Sequence, residues 1–199
     1  MKKTASPRLR LTRRLLDARQ MRRVVRRMAG ELIERHGGVE RMLLAGIRTR
    51  GLPLAERLRD EIEKMEGVRL PVGALDITLY RDDLSTIGPH PVVRDSHLPE
   101  AIDGRVVVLC DDVLFTGRTV RAALDELNDY GRPRAVRLAV LIDRGHRELP
   151  IQADVVGLKV QTARDESVEV GFAGIDDADA VSLLAPETVL EPETAEGGE

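Results

Sequence analysis

The run Arg105-Val106-Val107-Val108-Leu109-Cys110, followed by Asp111-Asp112 and then by Thr116-Gly117-Arg118-Thr119, constrains this chain more than any other segment. Valines and a leucine in unbroken succession, without alternation of polar and apolar positions, read as a strand buried on both faces. Such a strand needs helices above and below it. A helical pattern from Val120 to Tyr130 follows the turn, and Gly131-Arg132-Pro133 closes it. The same order occurs upstream: Met42-Leu43-Leu44-Ala45-Gly46 reads as a buried strand, Ile47 to Gly51 as a polar turn, and Pro53 as the start of a helix reaching about Glu66. Val68 to Asp76 supplies another strand, continued as an extended segment through Tyr80. Arg81 to Pro99, polar with Gly, Pro and His, has the length and content of a mobile flap. Ala135 to Ile142 leads as a strand into Asp143-Arg144-Gly145-His146-Arg147, and runs near Val155-Val156 and Val168 to Val170 complete the sheet. The pattern predicts an α/β domain with a central, mostly parallel sheet flanked by helices.

With 199 residues the chain has room for one sizeable core. We place a single domain at residues 15–182, a flexible basic arm at 1–14 and a flexible acidic tail at 183–199. The formal charge of −3 conceals a strong asymmetry: residues 1–27 hold eleven Lys/Arg and one acid, whereas residues 176–199 hold eight acids and no base. From Asp17 to about Arg35, Met21, Val24, Val25, Met28 and Leu32 recur at helical spacing, with Arg22, Arg23, Arg26 and Arg27 on the other faces and Gly37-Gly38 as the stop. No apolar run approaches a membrane span, and the basic start lacks a following apolar targeting segment, which points to a cytoplasmic protein without a membrane partner. The single cysteine, Cys110, excludes an internal disulfide and a thiolate metal cluster, and reads as an apolar strand residue.

In a parallel sheet, ligands bind beyond the carboxyl ends of the strands, where helix N-termini offer free N–H groups to phosphate. Thr116 and Thr119 supply hydroxyls there, Gly117 permits close backbone approach, and Arg118 adds charge or anchors the loop. The lysine of a Walker loop is absent. An isolated Asp pair after a strand most often caps the next turn. Beside this cradle, Asp111 and Asp112 instead suit the vicinal hydroxyls of a ribose and the influence of a divalent metal. Together they describe a sugar phosphate site.

Residues 107–119 resemble the phosphoribosyl-pyrophosphate (PRPP) motif of type I phosphoribosyltransferases. Three further segments, Gly46 to Gly51, Asp76 to Ser85 and Leu141 to Ile151, narrow the resemblance to the family of bifunctional pyrimidine operon regulators and uracil phosphoribosyltransferases, over about residues 18 to 182. The resemblance implies a type I phosphoribosyltransferase-like fold with a small hood and a flexible flap. It implies that Asp111 and Asp112 hold the ribose hydroxyls of PRPP or UMP, and that Thr116, Gly117, Arg118 and Thr119 hold the 5′-phosphate. Arg48, Thr49, Arg50 and Gly51 would bind pyrophosphate, using a strained or cis peptide, and Arg81 would close over it. Asp143, Arg144, Gly145 and His146 would contribute to the hood and the base pocket. The implied substrates are uracil and PRPP, with Mg²⁺ carried mainly by PRPP and Asp111 or Asp112 as its nearest protein groups.

Read alone, an Arg-rich helix is a solvated surface, a dimer face or a phosphate-binding face. The resemblance implies a stem-loop in pyrimidine-gene mRNA as partner, bound under control of UMP or UTP and acting on transcription termination or translation. Its surface would comprise Arg22, Arg23, Arg26, Arg27, Arg144, Arg147 and Lys159. Arg26 and Gly30 depart from the family pattern, which often has Thr and His there. The family also implies a homodimer or higher homo-oligomer. Two alternatives stay open from the residues themselves: an RNA-binding regulator whose site only senses nucleotide, and a phosphoribosyltransferase for another base.

Overall fold

In the computed structural model, residues Leu9–Tyr80 and Ser96–Glu187 are described. The flap expected at Arg81 to Pro99 therefore lies mostly outside the described residues, as do the first eight residues and those from 188 onward.

Five parallel strands form the central sheet in the order β3 (Val72–Leu75), β2 (Met42–Ile47), β4 (Val106–Leu114), β5 (Ala135–Asp143) and β6 (Val155–Lys159). Both faces are covered, so the strands are apolar without alternation, yet successive side chains still serve opposite cores. Met42 and Leu44 join one cluster with Val108 and Cys110, whereas Leu43 and Ala45 join the other with Val107 and Leu109. Helices α1 (Ala18–His36) and α2 (Gly51–Glu66) cover the first face, and α3 (Arg118–Asn128) covers the second. α1 keeps the predicted boundaries because its ends are chemically marked. Asp17 and Gln20 exchange side-chain hydrogen bonds with each other's backbone N–H (2.7 and 2.9 Å), and Gly37 takes the left-handed conformation (φ 65°) that ends the helix.

A second, three-stranded antiparallel sheet, which with the β7–β8 loop forms the hood, has the order β1 (Leu9–Leu16), β8 (Ala180–Pro186), β7 (Ser167–Gly171). It packs through Val168, Val170, Phe172, Val181 and Leu183 onto the α1/α2 core. This small sheet corrects three expectations. The arm expected through residue 14 is a strand from Leu9, held by main-chain pairing from Leu9↔Pro186 to Leu16↔Val181. It is an edge strand whose first six side chains are exposed, so its sequence carries no burial pattern. The acidic tail expected from residue 183 is strand β8 as far as Pro186. Val168 to Val170 belongs to this sheet rather than to the central one.

Two more boundaries differ. The segment after Leu75 is a 3₁₀ turn, Ile77–Tyr80, because the Asp76 carboxylate accepts from the N–H (3.0 Å) and hydroxyl (2.5 Å) of Thr78. β4 does not stop before the acids: it runs on to Leu114, because β5 offers partners as far as Asp143 (Asp111↔Val140, Leu114↔Asp143).

Candidate functional site

The strand order reverses between β2 and β4: the crossover after β2 runs one way along the sheet, to β3, and the crossover after β4 runs the other way, to β5. Loops leaving the carboxyl ends of β2 and β4 thus diverge and open a crevice, the usual ligand position in such sheets.

The loop after β2 carries Arg48, Thr49 and Arg50, with a cis peptide bond between Arg48 and Thr49. Its form depends on two glycines. A Cβ on Gly46 would lie 2.3 Å from Leu52 Cα, and one on Gly51 would lie 2.2 Å from the Cys110 carbonyl oxygen. Gly51 thereby lets the start of α2 press against β4 immediately before the acid pair, and α2 begins two residues ahead of Pro53 for that reason. Arg50, at the N-cap of α2, reaches across to the hood: its Nη2 donates to Asp176 Oδ1 at 2.9 Å. That contact holds the Asp176 carboxyl below the usual carboxylate range.

Asp111 is 6% exposed, and its Oδ1 accepts from the Asp112 backbone N–H at 3.1 Å. Burial pushes both carboxyls up, Asp111 the more strongly, while the Arg50 charge offsets part of the rise at Asp112. Burial of the acid pair therefore favours a partner that supplies positive charge or hydrogen-bond donors. Cys110, on the opposite face, is fully buried and its thiol is likewise raised by burial, as expected for a packing residue.

After β4, Gly117 adopts a left-handed conformation (φ 94°) and opens α3. The Arg118 N–H faces Thr116 Oγ1 at 3.4 Å, so Thr116, Gly117, Arg118 and Thr119 form the first turn of a helix with its N-terminus open to an anion. The Arg118 side chain is 54% exposed and pairs with Glu148 at 3.0 Å. It anchors the loop to the segment after β5, whose Glu148 and Leu149 N–H groups donate to the Thr116 carbonyl at 3.0 and 3.2 Å.

The segment after β5 needs two corrections. Arg144 is 6% exposed; its guanidinium lies 4.1 Å from the centre of the Phe115 ring and donates to the carbonyls of Ala163 and Glu166 at 3.0 and 2.6 Å. Burial lowers its pKa. Arg147 donates to the carbonyls of Phe115, Gly145 and Ile151 and pairs with Asp143 at 2.6 Å. Both arginines, expected on an RNA surface, clamp carbonyls inside the domain, where an arginine can satisfy several backbone acceptors at once. Asp143 also accepts from the Gly145 N–H at 3.0 Å, and His146 Nε2 meets the Thr162 carbonyl at 2.8 Å. His146 and Phe115 meet edge to face with centroids 5.7 Å apart. The four expected base-pocket residues thus form a braced wall after β5.

Sequence reasoning missed Phe115 and Asp176. Phe115 sits inside the recognised motif, one of two phenylalanines in the chain, and that scarcity was a usable signal. Asp176 reads in the sequence only as one of the acids that accumulate from residue 176 onward, and nothing local marks its pairing with Arg50 from 126 residues away. Arg22, Arg23, Arg26 and Arg27 are all exposed on α1, opposite its buried Met21, Val25, Met28 and Leu32, but the Arg27 guanidinium donates to the Val156 and Gly157 carbonyls at 2.9 and 2.5 Å and pairs with Glu31 at 3.1 Å. Lys159 is exposed at the end of β6, and Arg81 lies outside the described residues.

Among the described residues, no group of three or more His, Cys, Asp or Glu is disposed to hold a metal ion. The donor set at the crevice is one carboxylate pair, which fits a hard divalent cation held chiefly by substrate oxygens and water, the habit of Mg²⁺.

A model of the phosphoribosyl transferase domain matches residues 12–174. The bifunctional protein PyrR of Roseiflexus sp. (strain RS-1) is 57% identical over 164 residues, covering 82% of this chain and 90% of that protein. The bifunctional protein PyrR of Deinococcus radiodurans is 52% identical over 173 residues, covering 87% and 94%. A hypoxanthine phosphoribosyltransferase structure from Staphylococcus aureus superposes with a TM-score of 0.65 at 20% identity, covering 89% of this chain and 94% of that one, a likeness of fold alone. With the crevice, the acid pair and the open helix turn in the places the motifs demand, the chain belongs to the phosphoribosyl transferase domain family and, within it, to the bifunctional PyrR proteins.

Proposed function

We propose that this protein transfers the phosphoribosyl group of PRPP to uracil, giving UMP and pyrophosphate, and that uridine nucleotide in the same crevice governs its binding to a pyrimidine-gene mRNA stem-loop. The observation that carries the catalytic part is the placement of Asp111-Asp112 between the open N-terminus of α3 and the Arg48 to Gly51 loop. One end suits a phosphate, the middle a ribose, and the other end a second anionic group. Relatives named as bifunctional, 52 to 57% identical over most of their length, support both activities.

In the reaction the bond from ribose C1 to pyrophosphate oxygen breaks, the bond from uracil N1 to C1 forms, and the N1 proton is released. Thr116 and Thr119, with the N–H groups of the α3 first turn, hold the 5′-phosphate and fix the ribose. Asp111 and Asp112 accept hydrogen bonds from the ribose hydroxyls, and their charge favours the cationic character that develops at the sugar. Arg48 and Arg50 face the departing pyrophosphate from the β2 loop, with Arg81 assigned to the same anion from the flap. Asp111 or Asp112 would be the protein carboxylates available to a Mg²⁺ ion carried by PRPP, which when bound would supply charge neutralisation at the leaving group. Phe115 and His146, braced by Arg144, form the wall beside the base and exclude water. No protein nucleophile is required.

RNA would lie on the exposed arginines of α1, with Lys159 at the margin. A homodimer or larger assembly, and a cytoplasmic location, complete the proposal; no helix among the described residues is long and apolar enough to cross a membrane. The test is pyrophosphate release on adding uracil to protein, PRPP and Mg²⁺, with hypoxanthine and orotate as controls. Turnover with uracil alone is expected, and folded protein inert towards uracil overturns the enzymatic reading. RNA affinity measured with and without UMP or UTP then separates a nucleotide-controlled regulator from an enzyme without that control.

A further inference from the structure

The hood carries a charged cleft outside the crevice. It is lined by Arg13, Arg14 and Leu15 of β1 and by Leu158, Lys159, Val160 and Gln161 at the end of β6. Its three charged residues are all cations and all exposed, and no carboxylate of the described residues forms an ion pair with them. Arg14 also lines a neighbouring cleft with Glu169, Asp176 and Asp177, whereas no carboxylate lines the cleft that it shares with Arg13 and Lys159; cations grouped at such a concave surface attract an anionic partner.

The sequence itself holds such a partner. Residues 188–199, outside the described residues, contain Glu191, Glu193, Glu196 and Glu199 and no cation. Their starting point is fixed, because β8 ends at Pro186 opposite Leu9, the first residue of β1. From Leu9 to Arg14 along the strand is about 17 Å at 3.3–3.4 Å per residue. Twelve residues span at most about 40 Å, so a segment rooted beside Leu9 is long enough to bring Glu193, Glu196 and Glu199 to the cleft. Tethering at that range gives a local concentration of order mM, enough for weak ion pairs to hold.

We propose that residues 188–199 dock in the Arg13/Arg14/Lys159 cleft of the same chain and act as a built-in polyanion, covering cationic surface that would otherwise engage nucleic acid. The docking stands on charge and chain geometry; its consequence for RNA rests on the function proposed above.

Two measurements separate these layers. A nitroxide on A195C, with buried Cys110 left unmodified, reports docking directly by NMR. Broadening of the Arg13, Arg14 and Lys159 amides is expected in the full chain, diminishing in about 0.5 M salt and in an R13A/R14A/K159A variant. Absence of broadening there, broadening centred on α1 instead, or broadening that grows with protein concentration and so reports a second copy, each overturns the proposal. In the second measurement, truncation after Glu187, or replacement of Glu193, Glu196 and Glu199 by Gln, is expected to tighten binding of a pyrimidine-leader RNA roughly three- to tenfold. An affinity that is measurable but unchanged by either alteration overturns the masking role while leaving RNA binding intact. Should neither full nor truncated chain bind RNA, the RNA reading fails, and the broadening alone decides the docking.

Discussion

Asp111 does two things that oppose each other. Its burial suits a ribose, since a carboxylate shielded from water makes strong hydrogen bonds, but the empty protein must hold a group whose ionisation burial disfavours. A folded-state pKa above the unfolded one, about 3.9 for Asp, means the stabilising contribution is fully present below that value and is lost as pH rises through the folded pKa. Asp111→Asn removes this loss. Its melting temperature is therefore expected to exceed that of the parent at pH 8 by more than at pH 5, while uracil-dependent pyrophosphate release falls at least about a hundredfold through lost stabilisation of the sugar. Thermal melts at both pH values check the first part; a variant no more stable at pH 8 than at pH 5 would contradict the burial argument. Gly51 shows the complementary constraint, of space rather than charge. A Cβ there would meet a backbone oxygen of β4 at 2.2 Å, an atom that cannot swing aside. Gly51→Ala is expected to lower stability by about 1–3 kcal/mol in denaturant titration and to raise KM for PRPP, because the displaced helix start carries the Arg48 to Arg50 loop with it.

Elements were legible where burial or capping wrote them into the side chains. β2 and β4 announce themselves because both faces of the sheet are covered, and α1 because Asp17 and Gly37 bracket its apolar period. β1 was illegible for the converse reason: Leu9 to Arg14 are all exposed, and its place is fixed by main-chain pairing to β8, which any sequence can supply. The site divides the same way. The acid pair and the α3 turn are local and contiguous, whereas the Arg50–Asp176 contact joins residues 126 apart and needed the fold to reveal it. That contact ties the β2 loop to the hood and occupies a guanidinium that faces the crevice from which pyrophosphate leaves. Asp176→Asn leaves the hood hydrogen bond from the Phe172 N–H an acceptor but removes the charge. Steady-state kinetics are expected to show KM for PRPP falling two- to fivefold, in line with an exposed ion pair worth roughly 0.2–1 kcal/mol; an unchanged KM would mean that Arg50 does not meet the substrate.

At the scale of the molecule the formal charge of −3 describes no surface the protein presents. Exposed Arg22, Arg23 and Arg26 line one face of α1, whereas Arg27 is held on the carbonyls of Val156 and Gly157, and Arg144 and Arg147, equal to them in charge, are turned inward onto carbonyls. Counting arginines therefore overstates the RNA surface, and position in the fold decides which of them a phosphate can meet. Counterion release turns this into a measurable difference, because each neutralised phosphate contributes about 0.7 to the slope of log affinity against log salt for single-stranded RNA. Replacing Arg22 and Arg23 with Gln is expected to weaken RNA binding, to flatten that slope by about 1.4, and to leave the melting temperature close to that of the parent. Replacing Arg144 with Gln is expected to do the opposite. Carbonyls of Ala163 and Glu166 lose charged donors, at a cost of about 1–3 kcal/mol for each group left unsatisfied, so the melting temperature falls while the salt slope holds. A slope that flattens in the Arg144 variant and not in the Arg22/Arg23 variant would move the RNA contact from α1 to the wall after β5, and would require that wall to open when RNA binds.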